Sequence, residues 1–273
     1  MNSTKTILFV GCGNMGAAIL TRALQALPDH HYIALDPQTE RAKSLLPQDA
    51  KVTFAAAAEE LDGIEPDLTI ISVKPQQFGS LPAPVLAHIA RGVAVSIMAG
   101  TPIAAISNIL GTQRIARVMP NLAATVGHSM SVGFVCRDTL SDTDTGLISA
   151  LFDCVGQFAW VENEDDIDLA TAVAGSGPGY VFAFAQYLVD AAVAEGMPPE
   201  LAEKMVRQTL LGAAVLLSED SRTPKQLKEA VRSPGGTTEA GLNHLEAPSA
   251  FPRALQDAVK AAHARAREMA GES

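Results

Sequence analysis

The sequence predicts an α/β fold, in which a doubly wound parallel sheet is followed by an all-helical domain. In residues 5–161, short β-rich runs alternate with helical patterns, the spacing typical of strands covered by helices. After residue 162 the strand signal stops and long Ala- and Leu-rich helical patterns follow. A glycine-rich turn also lies directly after the first strand. The predicted domains are therefore residues 1–162 and 163–273.

The strands are predicted from seven runs that are rich in apolar and β-branched residues. These runs are KTILFV, HYIALD, LTIISV, GVAVSIM, RIARVM, SVGFVC and QFAWV. The cores of three of them, ILFV, LTIISV and VAVSIM, are apolar on both faces, as expected for central strands that are covered on each side. The first domain should therefore have helices on both faces of its sheet.

The second domain is predicted to be a set of long helices, including residues 200–217 and 252–269. Residues 180–189 are apolar almost all round, and a helix of this kind must be buried in protein. About 110 residues of helices provide little interior for it. We therefore expect a subunit interface and a homodimer, with a tight monomeric bundle as the alternative.

Composition excludes several classes of protein. Hydrophobic residues make up 48% of the 273 residues, which is ample for a core, and the formal net charge of -10 argues against nucleic acid as the main partner. The three cysteines have no paired spacing, so neither a disulfide framework nor a metal site is predicted. A reducing cytosol fits best, and the expected location is cytoplasmic.

Two apolar segments are candidate signs of a membrane or secreted protein, and neither of them favours that class. The N-terminal apolar stretch is too short for a signal peptide and runs into the glycine turn. Residues 169–189 carry no charge and are long enough to span a bilayer. Their centre, Gly175-Ser176-Gly177-Pro178-Gly179, would break a spanning helix, so we predict a helix buried in protein and no membrane partner.

The glycine-rich turn is Gly11-Cys12-Gly13-Asn14-Met15-Gly16, and it opens a helical run. In this strand-turn-helix context the spacing is that of a Rossmann-like, dinucleotide-binding domain. Gly11 suits the tight turn, Gly13 lets a pyrophosphate approach the backbone, and Gly16 lets the helix pack on the strand. The positive end of the helix then faces the phosphates, which predicts NADH or NADPH as the cofactor.

The choice between the two cofactors depends on Asp36, which ends the second strand 20 residues after Gly16. An acid at this position bonds the adenosine ribose, and its carboxylate would repel the 2′-phosphate of NADPH. Arg41 and Lys43 are close enough in sequence to pair with that phosphate, although both also fit a solvated helix face. Both cofactors therefore stay open.

Five segments together resemble the pyrroline-5-carboxylate reductase family in order and spacing, over nearly the whole chain. They are the glycine turn, Ser72-Val73-Lys74-Pro75-Gln76, Arg117-Val118-Met119-Pro120-Asn121, Gly175-Ser176-Gly177-Pro178-Gly179-Tyr180 and Ser233-Pro234-Gly235-Gly236-Thr237-Thr238. The resemblance implies reduction of 1-pyrroline-5-carboxylate to L-proline with NADPH or NADH, the last step of proline biosynthesis. It also implies a homodimer, which in this family can assemble into larger rings.

The resemblance implies a set of cofactor contacts in the first domain. The set comprises Asn14, Met15 and Gly16 at the pyrophosphate, Val73, Lys74 and Pro75 in the turn beside the cofactor, and Ala99 and Asn121 nearer the nicotinamide. We expect Lys74 to act through its backbone or by packing, because a lysine at the end of a strand more often serves in that way than in catalysis.

In the second domain the resemblance implies a clamp for the substrate carboxylate. Ser233, Gly236, Thr237 and Thr238 would hold it through N–H groups, and the Thr238 hydroxyl would reach the ring nitrogen as the catalytic contact. Glu164 would attract the cationic ring. In this family the clamp faces the cofactor across a subunit contact, so two chains would complete one site.

Three departures from the family pattern bear on these expectations. Gly179 replaces the usual alanine before Tyr180, which should alter that helix only slightly. Thr223-Pro224-Lys225 stands where a shorter or more acidic turn is frequent, so Glu219 receives no role. Asp36 replaces small or basic residues, which counts against the usual NADPH preference.

The residues also favour imine over carbonyl chemistry. A ketone that accepts hydride becomes an alkoxide and needs a proton from a positioned Lys or His, whereas a protonated imine becomes a neutral amine. Residues 173–203 contain neither Lys nor His, although the related β-hydroxyacid dehydrogenases place their catalytic lysine there. Catalysis would then depend on orientation of the substrate.

Two other functions stay open at this point: a β-hydroxyacid dehydrogenase and a non-catalytic nicotinamide-binding regulator. The missing lysine disfavours the first, and the intact segment at residues 233–238 disfavours the second. That segment could also be an ordinary helix N-cap. No glutamate stands three residues after Thr237 or Thr238, so no capping box is predicted.

Overall fold

A computed structural model describes residues 4–271; the outermost ends of the two predicted domains, residues 1–3 and 272–273, lie outside the described residues. The described residues form one eight-stranded sheet. Its strands are β1 (Thr6–Val10), β2 (His31–Leu35), β3 (Val52–Ala55), β4 (Leu68–Ile71), β5 (Val93–Ser96), β6 (Ile115–Met119), β7 (Ser129–Val135) and β8 (Gly156–Trp160).

The strand order is β3-β2-β1-β4-β5-β6-β7-β8, so the chain crosses over after β3 and places β1 beside both β2 and β4. All neighbours run parallel except β6 and β7, which pair antiparallel. This order puts the carboxyl ends of β1, β2 and β4 side by side at a topological switch point, where ligands of such sheets bind.

Six α-helices of the described residues connect the strands and cover both faces of the sheet. They are α1 (Asn14–Ala26), α2 (Thr39–Ser44), α3 (Pro75–Phe78), α4 (Ala83–Arg91), α5 (Ile103–Leu110) and α6 (Asp142–Asp153). Alternate residues of β1 point to opposite sides: Ile7 and Phe9 belong to a core cluster with α1 and α6, and Leu8 belongs to a second cluster with α4 and α5. The apolar strands predicted this two-sided burial.

Two features of the sheet differ from the predicted pattern. The strand β3 was not predicted, because it is a four-residue strand at the edge of the sheet and carries the exposed polar residue Thr53. The strand β7 was predicted from SVGFVC, but its antiparallel direction was not, since period and composition do not give strand direction. The predicted α/β fold class is confirmed, with one additional edge strand and one strand of reversed direction.

The remaining helices are α7 (Asp165–Ala170), α8 (Gly177–Ala194), α9 (Pro199–Glu219), α10 (Pro224–Ala230), α11 (Thr237–Leu245) and α12 (Phe251–Met269), with a π-helical turn at Thr171–Gly175. The helices predicted at residues 200–217 and 252–269 are therefore present. None of the helices in the described part of the chain is long and apolar enough to cross a membrane.

The chain divides into two compact units. One contains the sheet, with residues up to 176 and those from 262 onward, and the other contains residues 177–261. The predicted boundary at residue 162 stays a prediction.

Within the second unit, α8 packs against α9, yet none of the residues of α8 is buried in this single chain. Phe182 and Tyr187 are 59% and 71% exposed. The prediction that residues 180–189 are buried is therefore not met within one chain, because α9 covers only part of the surface of α8.

Candidate functional site

A cleft of about 700 Å³ lies in the sheet unit, where β1, β2 and β4 end. Its lining includes the glycine turn and the segments that follow the other two strands. Seven of the predicted cofactor residues line it: Gly11, Gly13, Asn14, Met15, Asp36, Val73 and Lys74. The structure therefore brings together most of the predicted cofactor contacts, as expected for strands that end at one edge of a sheet.

The three glycines of the turn have three different surroundings. Gly11 has a φ of +83°, and a Cβ on it would lie 2.9 Å from Cγ1 of Val73. A Cβ on Gly16 would lie 2.7 Å from Oγ of Ser72 and 2.9 Å from the Gly11 carbonyl oxygen, so α1 packs closely here. Gly13 has no atom within 4 Å of its Cβ position. Gly11 and Gly16 therefore have the steric surroundings expected of a tight turn and of close packing, and the approach of a pyrophosphate to Gly13 stays a prediction.

The N-terminus of α1 is available to an anion. Gly13 is the N-cap residue and no side chain caps the helix, although helices usually recruit one. The first N–H groups of a helix have no partner within it and form its positive end. These residues therefore fit the pyrophosphate of a dinucleotide.

The carboxylate of Asp36 binds two backbone N–H groups at the edge of the cleft. One oxygen accepts from Cys12 at 2.8 Å and the other accepts from Gln38 at 2.8 Å. Asp36 therefore holds the glycine turn in place as well as lining the cleft, a linkage that the sequence did not reveal. Burial, with a smaller contribution from Asp36, raises the pKa of the Cys12 thiol to about 11, so this thiol stays neutral at physiological pH.

The two cations considered as partners for a 2′-phosphate differ in position. Arg41 lines the cleft and has no ion-pair partner among residues 4–271. Lys43 instead pairs with Glu40 at 2.7 Å and lies over the ring of Phe54. Of the two, Arg41 is the one placed to meet a phosphate.

The turn after β4 contributes Val73 and Lys74 to the cleft, and Pro75 begins α3. Ser72, just before them, donates from its hydroxyl to the carbonyl oxygen of Gly11. This bond ties the end of β4 to the glycine turn. The motif contained Ser72, but no role was predicted for it, because the contact joins residues 61 positions apart.

Ala99 and Asn121 follow β5 and β6 and do not line the cleft. The amide group of Asn121 donates to the carbonyl oxygen of Ala174 at 2.9 Å and accepts from the Ala123 N–H at 3.0 Å. It therefore holds the π-helical turn against the end of β6. A nicotinamide contact for either residue stays a prediction.

Glu164 has partners within the sheet unit. Its carboxylate accepts from the N–H of Ile103 at 2.8 Å, where α5 begins without a cap of its own. The same oxygen lies 3.4 Å from the guanidinium of Arg117, which also binds Asp168. The predicted attraction of Glu164 for the substrate ring stays a prediction.

Arg117 and Asp168 were missed as a pair by sequence reasoning. The only signal was the charge of Arg117 between the apolar residues Ala116 and Val118 of the predicted strand. A buried charge requires a partner, and the sequence does not show where that partner lies.

The predicted substrate clamp lies in the second unit. Gly236 is the N-cap residue of α11, no side chain caps this helix, and Thr237 and Thr238 begin its first turn. The segment therefore does contain the N-cap of a helix, as the alternative predicted, but the cap residue is a glycine and no side chain bonds to the free N–H groups. Neither threonine hydroxyl has a hydrogen-bond partner among the described residues. The Gly235 N–H is bound by the carboxylate of Glu239 at 2.8 Å.

The switch-point cleft and the uncapped helix after the glycine turn define an NAD(P)-dependent oxidoreductase. Residues 6–100 match the family model described as NADP oxidoreductase, coenzyme F420-dependent, and residues 164–269 match the model described as pyrroline-5-carboxylate reductase dimerisation. The chain is 34% identical to a pyrroline-5-carboxylate reductase of Pseudomonas aeruginosa over 98% of both chains. The chain belongs to the pyrroline-5-carboxylate reductase family.

Other relatives and solved structures agree. The pyrroline-5-carboxylate reductase of Thermus thermophilus is 35% identical over 98% of this chain and 99% of its own. The structure of the Coxiella burnetii reductase has a TM-score of 0.87 at 28% identity, covering 98% and 99% of the two chains. That of the Plasmodium falciparum reductase, with NADP bound, has a TM-score of 0.80 at 28% identity, covering 97% and 98%. The predicted family, its NAD(P)H-dependent reduction of 1-pyrroline-5-carboxylate and the fold class are confirmed.

Proposed function

We propose that two uncapped helices do the binding in this reaction. The N-terminus of α1 holds the pyrophosphate of NAD(P)H, and the N-terminus of α11 holds the carboxylate of 1-pyrroline-5-carboxylate while it is reduced to L-proline. One observation carries the proposal: each helix begins after a glycine, Gly13 or Gly236, and neither has a side-chain cap. Two anionic groups must be held in this reaction, and each helix offers free N–H groups to one of them.

Cofactor binding uses the glycine turn and the segments beside it. Asn14, Met15 and Gly16 supply the N–H groups of the first turn of α1, and the open space at Gly13 lets the phosphates approach. Asp36 accepts from the ribose, and Val73, Lys74 and Pro75 shape the adjoining wall. Ala99 and Asn121 lie toward the nicotinamide. When bound, the nicotinamide supplies the hydride.

Substrate binding uses Ser233, Gly236, Thr237 and Thr238. The free N–H groups at the start of α11 bind the carboxylate, and the Thr238 hydroxyl accepts from the N–H of the protonated imine. Hydride adds to the imine carbon, the C=N π electrons move to nitrogen, and the product is a neutral secondary amine. No proton from the protein is needed at this step, which fits residues 173–203 having neither Lys nor His.

Substitution of Thr238 tests the catalytic assignment. Thr238→Ala should lower kcat with 1-pyrroline-5-carboxylate by at least about tenfold, since a positioned polar contact to changing charge is lost. Binding of NADH, followed by its fluorescence, should be unchanged. Thr238→Ser keeps the hydroxyl and should recover most of the rate. Equal turnover by wild type and Thr238→Ala would remove Thr238 from the mechanism.

We also propose that the second unit forms a homodimer through α8 and α9. Large apolar side chains are exposed on both helices, among them Phe182, Tyr187 and Leu211. The match of residues 164–269 to a dimerisation model supports this partner. Tyr187→Glu should lower the molecular mass measured by light scattering to that of one chain, whereas a variant at the exposed Glu59 of the sheet unit should not change it. The same measurement on wild type detects a ring of dimers.

We propose further that the protein works in the cytoplasm. Its three cysteines, Cys12, Cys136 and Cys154, are all free thiols, which suits a reducing compartment. Cell fractionation with an antibody against the chain tests this assignment.

A further inference from the structure

The substrate clamp at residues 233–238 is preceded by two cations that share one carboxylate. Lys228 lies on α10, and Arg232 immediately precedes Ser233. Glu246, the C-cap residue of α11, accepts from Lys228 with Oε1 and from Arg232 with Oε2. One carboxylate at the end of α11 therefore binds the helix before the clamp and the residue that leads into it.

These side chains are partly withdrawn from water. The exposed fractions are 22% for Arg232, 34% for Glu246 and 38% for Lys228. Glu229 is more distant, at 3.8 Å from Nε of Arg232, and that Nε has no hydrogen-bond partner in the described part of the chain. Hydrogen bonds from Lys228 and Arg232 lower the pKa of Glu246, so it is ionised at neutral pH. Glu246 is therefore the carboxylate that fixes the guanidinium of Arg232.

The clamp has few restraints of its own. Gly235 has a φ of +70°, and two adjacent glycines leave the backbone without side chains to pack. The Gly236 N–H donates to the Ser233 carbonyl oxygen at 2.9 Å within the clamp, and the Gly235 N–H donates to the carboxylate of Glu239, just beyond it, at 2.8 Å. The orientation of the N–H groups therefore also depends on how the segment is held at Arg232.

We propose that Glu246 is a positioning residue for the substrate carboxylate, because it holds Arg232 and Lys228 and thereby fixes the backbone that enters the clamp. The inference rests on the proposed binding of the substrate at the start of α11. A clamp that is ordered before binding loses less conformational entropy when the substrate arrives. Loss of Glu246 should thus weaken substrate binding and leave the cofactor, which binds in the other unit, unaffected.

Steady-state kinetics of the full-length protein test the proposal. Glu246→Gln keeps the size of the side chain and removes its charge. It should raise KM for 1-pyrroline-5-carboxylate by about three- to fivefold, the range expected for partly exposed ion pairs. KM for NADH should not change, and kcat should stay within about twofold. Glu246→Asp keeps the charge and should recover part of the substrate affinity.

A double-mutant cycle identifies the partner through which Glu246 acts. Arg232→Gln should raise the substrate KM by a similar factor. The substrate KM of the Arg232→Gln/Glu246→Gln double variant should be no higher than that of the single variant with the higher KM. Asp257→Asn is the matched control, because it breaks an exposed ion pair to Arg253 in the same unit. It should leave both KM values unchanged.

Other results overturn the inference. An unchanged substrate KM in Glu246→Gln contradicts it, as does an equal rise in both KM values with a lower thermal midpoint, which would indicate general destabilisation. If the effects of the two substitutions on the substrate KM are additive, Glu246 does not act through Arg232, which contradicts the inference. If Glu246→Gln does not fold, Lys228→Gln can be used instead, because it removes one of the two contacts of Glu246. It should raise the substrate KM by a smaller factor and leave KM for NADH unchanged. A wild type inactive on 1-pyrroline-5-carboxylate would refute the proposed function instead.

Discussion

Arg117 on β6 donates from Nη2 to Oδ1 of Asp168 on α7 over 2.7 Å, and only 3% of each side chain is exposed. The other terminal nitrogen of Arg117 faces Glu164, which also receives the first N–H of α5 at Ile103. One buried guanidinium therefore connects a strand with α7 and, through Glu164, with the first residue of α5. Such an arrangement is costly to break, since removal of one partner leaves a buried charge without compensation.

We predict that Asp168→Asn destabilises the protein by about 3 kcal/mol or more, in the range found when one member of a buried ion pair is removed. Thermal or urea unfolding measures this loss. Glu40→Gln, which breaks the exposed pair with Lys43, should change the free energy of unfolding by less than about 0.5 kcal/mol. Similar small effects in both variants would show that the buried pair contributes little.

The glycine turn offers a prediction in which two substitutions separate binding from stability. Gly13→Ala introduces a methyl group into open space, so the thermal midpoint without cofactor should be unchanged while KM for NAD(P)H rises. Gly16→Ala places its methyl group 2.7 Å from Oγ of Ser72 and should lower the midpoint. A Gly13→Ala variant with normal cofactor affinity would contradict the proposed approach of the pyrophosphate.

Cofactor preference should respond to the charge at Asp36. Asp36→Ala removes repulsion of a 2′-phosphate, and we expect the ratio of kcat/KM for NADPH over NADH to rise by about tenfold, equivalent to roughly 1.4 kcal/mol. The alanine also loses the bonds to Cys12 and Gln38, so KM should rise for both cofactors. Asp36→Asn removes the charge but keeps an acceptor. It should raise the NADPH/NADH ratio of kcat/KM in the same way, with a smaller rise in KM for both cofactors. A fixed ratio would mean that Asp36 does not read the ribose.

A pH-dependent contribution to stability is expected from Asp144 in the first turn of α6. Burial alone would raise the pKa of Asp144, but hydrogen bonds from Ser141 and Arg114 outweigh it and lower the pKa below the ordinary 3.8. The native state then binds this proton more weakly than the unfolded state. The contribution is present above the ordinary pKa and disappears as pH falls through the lowered native value.

Asp144→Asn should therefore reduce stability at pH 7 by about 0.3–1 kcal/mol, the range for an acid at a helix N-terminus. The difference from wild type should shrink as the pH falls below the ordinary pKa of 3.8. Urea unfolding at pH 7, 5 and 3 measures it. A difference that stays constant over this range would show that the charge of Asp144 is not involved.

Local patterns predicted most of the sheet unit. The apolar runs identified seven of the eight strands, because central strands are buried on both faces, and the glycine spacing identified the turn before α1. The edge strand β3 has too few buried residues to show a period. Gly11 and Gly16 were predicted with their roles, since the steric requirements of a tight turn and of close packing are visible in residue type alone.

Long-range polar contacts were not predictable in this way. Asp36 was predicted to meet a ribose, but its bond to Cys12 depends on the parallel pairing of β1 with β2. Arg117 and Asp168 are 51 positions apart, and their contact depends on the packing of α7 against β6. The resemblance assigned Glu164 to the substrate, whereas its bond to Ile103 follows from where α5 begins.

The reversal of direction between β6 and β7 has a practical consequence for labelling this protein. The strand β7 runs opposite to the strands that form the cofactor cleft. Its carboxyl end therefore lies on the side of the sheet away from the cleft, where Arg137 and Asp138 are exposed. Asp138 already has a φ of 62°, a conformation that glycine adopts easily. A short Gly-rich insertion at this position could carry a fluorophore or an immobilisation tag on the side of the sheet away from the cleft.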